Sequence, residues 1–180
     1  TADALGADPD PLEACRLGVD AARDVGVTVT GAFDDASASM LGGVTVTDNT
    51  ADDLLASDDP FAEHALVWTP PERAYSADTD VSACERVAPM AALATELALE
   101  GDYTRAMTVN GLAFSAALGF PTDPAVEAMA DSDGVSLSGT GPSVVAVGDR
   151  EALATVRERW ATRDGETRLT RTRETGARVL

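Results

Sequence analysis

Two adjacent carboxylates, Asp34 and Asp35, stand at the predicted start of a helix whose next residues, 36–39, are all Ala or Ser. A helix N-terminus stabilises anions and developing negative charge, and small side chains let a ligand approach the backbone. The segment then runs through Gly42 and Gly43 into a predicted strand, which would hold a site on a rigid frame. The structural alternative is that Asp34 is only a helix N-cap, with Asp35 in the first turn.

A second candidate segment is the glycine-rich turn Ser138, Gly139, Thr140 and Gly141, which lies between two strand-like runs. Backbone N–H groups left free by glycines can donate to anionic oxygens. A tight hairpin uses the same residue types, so this segment alone is weak evidence for a binding site. It is not a Walker loop, because no Gly-Lys-Ser/Thr sequence follows.

Two isolated polar residues are further candidates for contact with a substrate. Asn110 and the next residue, Gly111, are unfavourable in a helix interior, yet Asn110 lies on an apolar stripe. It either faces a substrate or makes an interhelical hydrogen bond beside a close helix contact. Arg73 either pairs with a substrate carboxylate or forms a surface salt bridge.

The charge composition limits the partners. The chain has 31 acidic and 13 basic residues, all of the basic ones Arg, for a net charge of −18. The acidic excess is spread along the chain, and such self-repulsion destabilises a compact state unless salt screens it, which predicts adaptation to a salt-rich cytoplasm. The absence of a basic patch argues against nucleic acid and anionic membranes as partners. The sequence shows no 18-residue apolar run and no signal peptide, so we expect a cytoplasmic protein.

The few residues that could bind metal or form disulfides are predicted to be structural. The single histidine, His64, argues against a His-based metal centre or catalytic triad and is expected in the core or at a strand edge. Cys15 and Cys84 fall on apolar helical faces and are predicted to be small buried hydrophobes. No metal ligand is predicted.

Hydrophobic periodicity predicts mixed helices and strands with few βαβ units, which favours an α+β fold. The predicted helices run from Asp10 to Gly26, from Asp34, over 81–99 with a kink at Pro89, over 102–118 and 123–131, and from about residue 150. The predicted strands are 44–47, 65–68, 134–137, 143–147 and an edge strand at 167–173, with an acidic loop between the first two. Residues 1–6 are predicted to be the end of a helix, which indicates that upstream sequence is absent.

The two glycine-containing segments together resemble two of the three signature regions of the GHMP small-molecule kinases. Over 30–48, 67–77, 84–91, 107–119 and 134–149 the chain is similar to the archaeal, especially salt-adapted, shikimate kinases. In GHMP kinases an Asp-Asn-Ala-type stretch before Gly-Gly carries the acidic residue that orients or deprotonates the substrate hydroxyl. Asp34 takes that role by resemblance, with Asp35 where the family has Asn. The spacing to Gly42 leaves the choice between the two carboxylates open.

The resemblance implies a fold and an activity. Residues 1–50 would end an N-terminal S5-like domain and residues 51–180 would form a ferredoxin-like C-terminal domain, together the C-terminal two-thirds of such an enzyme. The activity would be phosphorylation of the 3-hydroxyl of shikimate with ATP and Mg²⁺, in aromatic amino-acid biosynthesis, with residues 138–141 against the nucleotide phosphates. The Gly-Leu-Gly-Ser-Ser-type phosphate loop is not in this sequence, so we expect the 180-residue chain alone to bind ATP poorly and to be inactive.

Two alternatives remain open at this point. One is another GHMP kinase, acting on homoserine or a mevalonate-like alcohol, because these enzymes share both motifs. The other is a binding domain that keeps the fold without transferring phosphate. The oligomeric state is not predicted.

Overall fold

Contacts divide the chain into two units. The computed structural model describes residues 6, 9–28, 31–74 and 80–178. The first unit comprises residues 1–60 and 173–180, and the second comprises residues 61–172. The predicted helix end at residues 1–6 lies outside the described residues except for Gly6. The domain boundary expected after residue 50 stays a prediction.

The first unit contains two helices and a two-stranded sheet. These are α1 (Pro11–Asp24), α2 (Phe33–Leu41), β1 (Val44–Asp48) and β2 (Asp53–Asp58). The carboxylate of Asp10 caps α1 by accepting from the N–H groups of residues 12 and 13, as predicted. Cys15 and Val19 on the apolar stripe of α1 are buried against Phe33 of α2, and these three residues form the centre of a small core.

The acidic loop predicted between the first two strands is wrong, because it contains strand β2. This strand pairs antiparallel with β1, with Asp53 opposite Asp48 and an irregularity in register at Val46 and Thr47. Its pattern was hidden because every β2 residue is exposed or only half-buried. A strand with so little burial and Asp at both ends lacks the apolar alternation by which strands are recognised.

The second unit is a four-stranded sheet with helices. Its elements are β3 (His64–Thr69), α3 (Val81–Glu85), α4 (Ala88–Leu99), α5 (Tyr103–Leu118), α6 (Asp123–Ala128), β4 (Gly134–Leu137), β5 (Val144–Gly148), α7 (Arg150–Trp160) and β6 (Glu166–Arg171). The strand order is β4-β5-β3-β6, and every neighbouring pair is antiparallel. Helices follow the first and third strands of this unit, which is the β-α-β-β-α-β order of a ferredoxin-like fold. The predicted α+β class is confirmed.

The core of the second unit lies between the sheet and its helices. The predicted α7 stripe of Leu153, Val156 and Trp160 is buried, and the indole Nε1 of Trp160 donates to the Pro124 carbonyl at 3.0 Å. Burying an indole requires such a partner, so this bond fixes the start of α6 against α7. The cluster of buried residues comprises Leu66, Trp68, Ala125, Ala128, Val135, Val144, Ala146, Leu153, Val156 and Trp160.

The helix predicted over 81–99 is two helices. Arg86 and Val87 form a turn after α3, the backbone leaves helical geometry at Val87, and α4 begins at Ala88 with Pro89 in its first turn. Proline is tolerated there because the first-turn N–H groups have no intrahelical acceptor, so Pro89 starts a helix and does not kink one. The edge position predicted for the last strand is confirmed, because β6 pairs only with β3. Among the described residues, every helix is too short or too polar to span a bilayer.

Candidate functional site

The start of α2 differs from the prediction, because Asp34 is not its N-cap. Ala32 occupies the cap position with φ 54° and makes no side-chain capping bond, and Asp34 is the second residue of the helix. The turn into α2 uses two successive residues with positive φ, Gly31 at 88° and Ala32 at 54°. A Cβ at Gly31 would lie 2.4 Å from Val19, so this close approach to α1 sets where the helix begins.

The side chain of Asn49 binds Asp34 at two points. Asn49 Oδ1 accepts from the Asp34 backbone N–H at 3.2 Å, and Asn49 Nδ2 donates to Asp34 Oδ1 at 2.7 Å. Thr47 Oγ1 donates to the same Asn49 oxygen at 2.9 Å. The amide therefore satisfies a first-turn N–H that a capping side chain would otherwise satisfy, and it holds the Asp34 carboxylate on one oxygen.

The neighbouring carboxylate of Asp35 has a different environment. Partial desolvation by the surrounding protein raises the pKa of Asp35, and the negative charge of Asp34 raises it further. Among the described residues, the Asp35 carboxylate has no hydrogen-bond partner. The two carboxylates therefore differ in their hydrogen bonding. The spacing to Gly42 did not distinguish between them.

The small residues of α2 serve close packing within the first unit. Ser37 is fully buried, and its hydroxyl donates to the Asp34 carbonyl at 3.1 Å and lies 3.4 Å from Thr45 Oγ1 on β1. At Gly43 a Cβ would meet the Asp58 carbonyl oxygen at 2.2 Å, so only glycine fits. The helix and strand that flank the carboxylates are therefore closely packed at Ser37 and Gly43.

The glycine-rich segment is the connection of the β4–β5 hairpin. Ser138 N–H donates to the Ser143 carbonyl at 2.8 Å, and Gly141 N–H donates to the Ser138 carbonyl at 2.9 Å. Gly139 (φ 56°) and Gly141 (φ 77°) adopt left-handed conformations. A Cβ at Gly139 would meet nothing within 4 Å, whereas one at Gly141 would lie 2.7 Å from the Phe120 ring. The hairpin geometry is confirmed, and the contact with phosphate stays a prediction.

Contacts within the second unit join the elements that carry the remaining candidates. Gly111, next to Asn110 on α5, packs so closely on β4 that a Cβ would lie 2.4 Å from Ser136 Cα. Ser143 Oγ donates to Thr69 Oγ1 at 3.3 Å, which ties the glycine-rich hairpin to the end of β3, just before the segment that carries Arg73. Asp34 and Asp35 belong to the first unit, and the other candidate residues belong to the second.

The structural alternatives for Asn110 and Arg73 are not found. Asn110 is half-buried without a hydrogen bond from its side chain in the described part of the chain, and the close contact beside it is with a strand and not with a helix. Arg73 is exposed and forms no ion pair with any residue that the structure describes. Substrate contact by either side chain stays a prediction.

The burial predicted for His64 and Cys15 is confirmed, whereas Cys84 is less buried than predicted. His64 is buried on β3. Cys15 is buried and Cys84 is half-buried, and both thiols are free. Burial raises the pKa of each thiol, which disfavours the reactive thiolate. Within the described ranges, no group of three or more His, Cys, Asp and Glu side chains is arranged to hold a metal ion.

Asn49 is the residue of this site that sequence reasoning missed. It directly follows β1, in a turn where Asn is common for conformational reasons, so its type alone does not indicate a role. Its contact with Asp34 joins residues 15 positions apart and depends on the register of β1 against α2. The one available signal was an amide directly after a predicted strand, one residue beyond the stretch 30–48 that resembles the kinase family.

Comparison with known proteins gives close relatives. The chain is 62% identical over 181 residues to a shikimate kinase from Halobacterium salinarum, a match that covers 99% of the chain and 63% of the relative. It is 47% identical to a shikimate kinase from Methanosarcina acetivorans, over 89% of the chain and 54% of the relative. A shikimate kinase from Methanothermobacter thermautotrophicus is 36% identical, over 99% of the chain and 62% of the relative. The chain thus spans less than two thirds of the curated relatives it matches.

Comparison of structures supports the fold. A homoserine kinase from Cytophaga hutchinsonii matches with a TM-score of 0.52 and 18% identity, over 77% of this chain and 50% of that one. No family model matches the chain. The predicted resemblance and GHMP-kinase-like fold are confirmed: the chain is a homologue of the archaeal shikimate kinases over nearly its whole length.

Proposed function

We propose that the complete protein phosphorylates the 3-hydroxyl of shikimate with ATP and Mg²⁺. The observation that carries the proposal is the 62% identity to a curated shikimate kinase over 99% of this chain. Because the chain spans 63% of that relative, we further propose that residues outside it complete the nucleotide site. The isolated 180-residue chain is then expected to show negligible turnover.

Asp34 is proposed to orient and deprotonate the substrate hydroxyl. Phosphoryl transfer requires the protein chiefly to position the reactants and to stabilise charge. One oxygen of Asp34 is occupied by Asn49, and the side chain is exposed, which supports a role in which the other oxygen accepts a proton from the alcohol. Asp35, whose pKa is raised by partial desolvation and by the negative charge of Asp34, remains a candidate partner.

ATP, bound as its magnesium complex, supplies the phosphoryl group. The open space beside Gly139 and its left-handed backbone fit a close approach by phosphate oxygens, so we assign residues 138–141 to nucleotide binding. The residues present do not form a protein cage for the metal within the described ranges. That agrees with Mg²⁺ held mainly by phosphates and water, and we assign it no protein ligand.

Arg73 and Asn110 are proposed to bind shikimate. An exposed guanidinium without an ion pair among the described residues suits bidentate recognition of the shikimate carboxylate. The half-buried amide of Asn110 makes no side-chain hydrogen bond within the described ranges, and its donors and acceptor suit a hydroxyl group of the ring. Neither nucleic acid nor a membrane is proposed as a partner.

A substrate panel tests the proposal. We would measure ADP formation by the complete protein, in molar KCl with MgATP, for shikimate, homoserine and mevalonate at equal concentrations. The expected result is a kcat/KM for shikimate at least about 100-fold above the other two, because discrimination by hydrogen bonds to substrate hydroxyls is large. Preference for homoserine would overturn the proposal that shikimate is the substrate. Absence of turnover with all three compounds would favour a binding domain that does not transfer phosphate.

A further inference from the structure

The turn between β1 and β2 is tied to helix α1 by two arginines. Arg23 donates to both carboxylate oxygens of Asp52, at 2.6 and 2.9 Å, and to the Asn49 carbonyl at 3.3 Å. Arg16 Nε donates to the Asp52 carbonyl at 3.1 Å. The Asp52 side chain is only 15% exposed. A bidentate pair with this burial holds both groups in one geometry, so the turn that carries Asn49 is fixed to the helix beneath it.

The contacts of Asn49 require an amide at this position. The Asp34 N–H needs an acceptor and the Asp34 carboxylate needs a donor, and Asn49 supplies one of each at 3.2 and 2.7 Å. Because the Asp34 backbone N–H can only donate, the Asn49 atom that it contacts is the oxygen of the amide, and the Thr47 hydroxyl donates to the same oxygen at 2.9 Å. An aspartate of the same shape would keep the acceptor but lose the donor and add a second charge.

We propose that Asn49 is a positioning residue, which holds the Asp34 carboxylate in the orientation that accepts the proton of the substrate hydroxyl. This inference rests on the function proposed above and adds to it the residue that distinguishes Asp34 from Asp35. The bond from Nδ2 occupies one carboxylate oxygen and restricts rotation of the side chain, so the second oxygen is presented in one direction. Asp35 receives no such bond from any described residue.

Steady-state kinetics of the complete protein test the proposal first. Asn49→Ala is expected to lower kcat by about 10- to 100-fold while KM for shikimate changes by less than about threefold, because misplacing a reacting group acts mainly on the transition state. The matched control is Thr50→Ala, in the same turn, whose exposed hydroxyl has no hydrogen bond among the described residues. The control is expected to keep wild-type kcat and KM. An unchanged kcat in Asn49→Ala would overturn the proposal.

A double-mutant cycle separates positioning from a merely structural role. If Asn49 acts through Asp34, Asn49→Ala should cost less than about twofold in kcat once Asp34→Asn is present, because the group it positions has lost its charge. A full additional loss of 10- to 100-fold in the double variant would show that Asn49 acts independently of Asp34, and would overturn the proposal.

Two further measurements keep the test decisive if a variant folds poorly or the substrate is wrong. Asn49→Asp keeps the acceptor for the Asp34 N–H and should fold, yet it should lose turnover at least as strongly as Asn49→Ala. The side-chain NH₂ signals of Asn49 in ¹⁵N NMR spectra, assigned with Asn49→Ser, give a readout without turnover. They should shift in Asp34→Ala, and insensitivity would overturn the proposal. Failure of the wild type to phosphorylate shikimate would instead contradict the proposed function. The NMR measurement would still test the contact between Asn49 and Asp34, because it does not depend on turnover.

Discussion

The two units of the chain differ in what determines their internal geometry. The second unit has a four-stranded sheet and a buried cluster that includes two tryptophans. The first unit has a two-stranded sheet and a central cluster of Cys15, Val19 and Phe33. A two-stranded sheet is marginally stable without further packing. In the first unit, hydrogen bonds such as Arg23 to Asp52 therefore contribute much of the positional specificity that apolar packing supplies in the second.

This difference has a consequence for function. Asp34 lies in the unit with less apolar burial, where its orientation depends on a turn held by polar contacts. The glycine-rich hairpin lies in the unit with the larger core, where Gly141 packs against the Phe120 ring. Variants of Asn49 should therefore affect catalysis through the orientation of Asp34, and variants at close packing positions of the second unit should affect stability.

The largest expected effect is on catalysis by the first unit. Asp34→Asn in the complete protein should lower kcat by about 10²- to 10⁴-fold, because it removes the proton acceptor, while KM for shikimate changes little. The matched control is Asp35→Asn, which should retain more activity. Steady-state rates with a saturating MgATP concentration measure both. Equal activity of Asp34→Asn and the wild type would return Asp34 to a structural role.

The next effect contrasts helix packing in the two units. Gly111→Ala on α5 should lower the free energy of unfolding by about 1–3 kcal/mol, because its Cβ would lie 2.4 Å from Ser136 Cα. Gly18→Ala on α1 is the control, since a Cβ there meets nothing within 4 Å, and it should raise the free energy by about 0.5–1 kcal/mol. Denaturant unfolding measures both. Stabilisation by Gly111→Ala would show that α5 and β4 are less closely packed than described.

Helices with strong apolar stripes were predicted correctly, and errors fall where long-range contacts decide. The α7 stripe of Leu153, Val156 and Trp160 carries the 3.6-residue period of a buried face, so it is visible in the sequence. Strand β2 lacks a buried face, so no local pattern marks it. Residues 34, 35 and 138–141 were chosen as candidates from motifs, and their roles stay predictions.

The local arrangement around the carboxylates was not predictable in the same way. Asp34 was predicted as the cap because Asp is favoured there, but Asn49 takes over part of that function from a turn in another element. The position from which Asn49 can accept this N–H depends on three features together: the register of β1, the close approach at Gly31 and the arginine contacts of the turn. A single sequence does not show that combination, although each residue type is compatible with it.

Salt should affect the two units unequally. The first unit has 14 acidic and 4 basic residues in 68 positions, a net of −10, and the second has 17 and 9 in 112 positions, a net of −8. The Debye length, beyond which repulsion between exposed charges is largely screened, is about 10 Å at 0.1 M salt and shorter at higher concentration. KCl should therefore raise the unfolding midpoint by several degrees. Hydrogen exchange at increasing KCl should show the larger gain in protection in peptides of the first unit. An equal response would contradict the predicted difference between the units, and the absence of any response would contradict salt adaptation.

The smallest effect concerns Asp35. Its pKa is raised in the folded state, so the folded protein holds this proton more tightly than the unfolded chain, and the ionised form at neutral pH opposes folding. Asp35→Asn should therefore raise the free energy of unfolding at pH 7, by less than about 1 kcal/mol for an exposed group. The gain should shrink as the pH falls through the raised pKa of Asp35 and should be absent below the ordinary range of an Asp side chain. A gain independent of pH, measured by urea unfolding from pH 7 to pH 3, would exclude this cause.

Identification of the product tests the central claim most directly. The complete protein would be incubated with shikimate and MgATP in molar KCl, and the product examined by ³¹P and ¹H NMR. Our account predicts a single phosphate monoester on the 3-hydroxyl of shikimate, with a yield that depends on Asp34. Phosphorylation of another alcohol in place of shikimate, or a yield unchanged in Asp34→Asn, would contradict it.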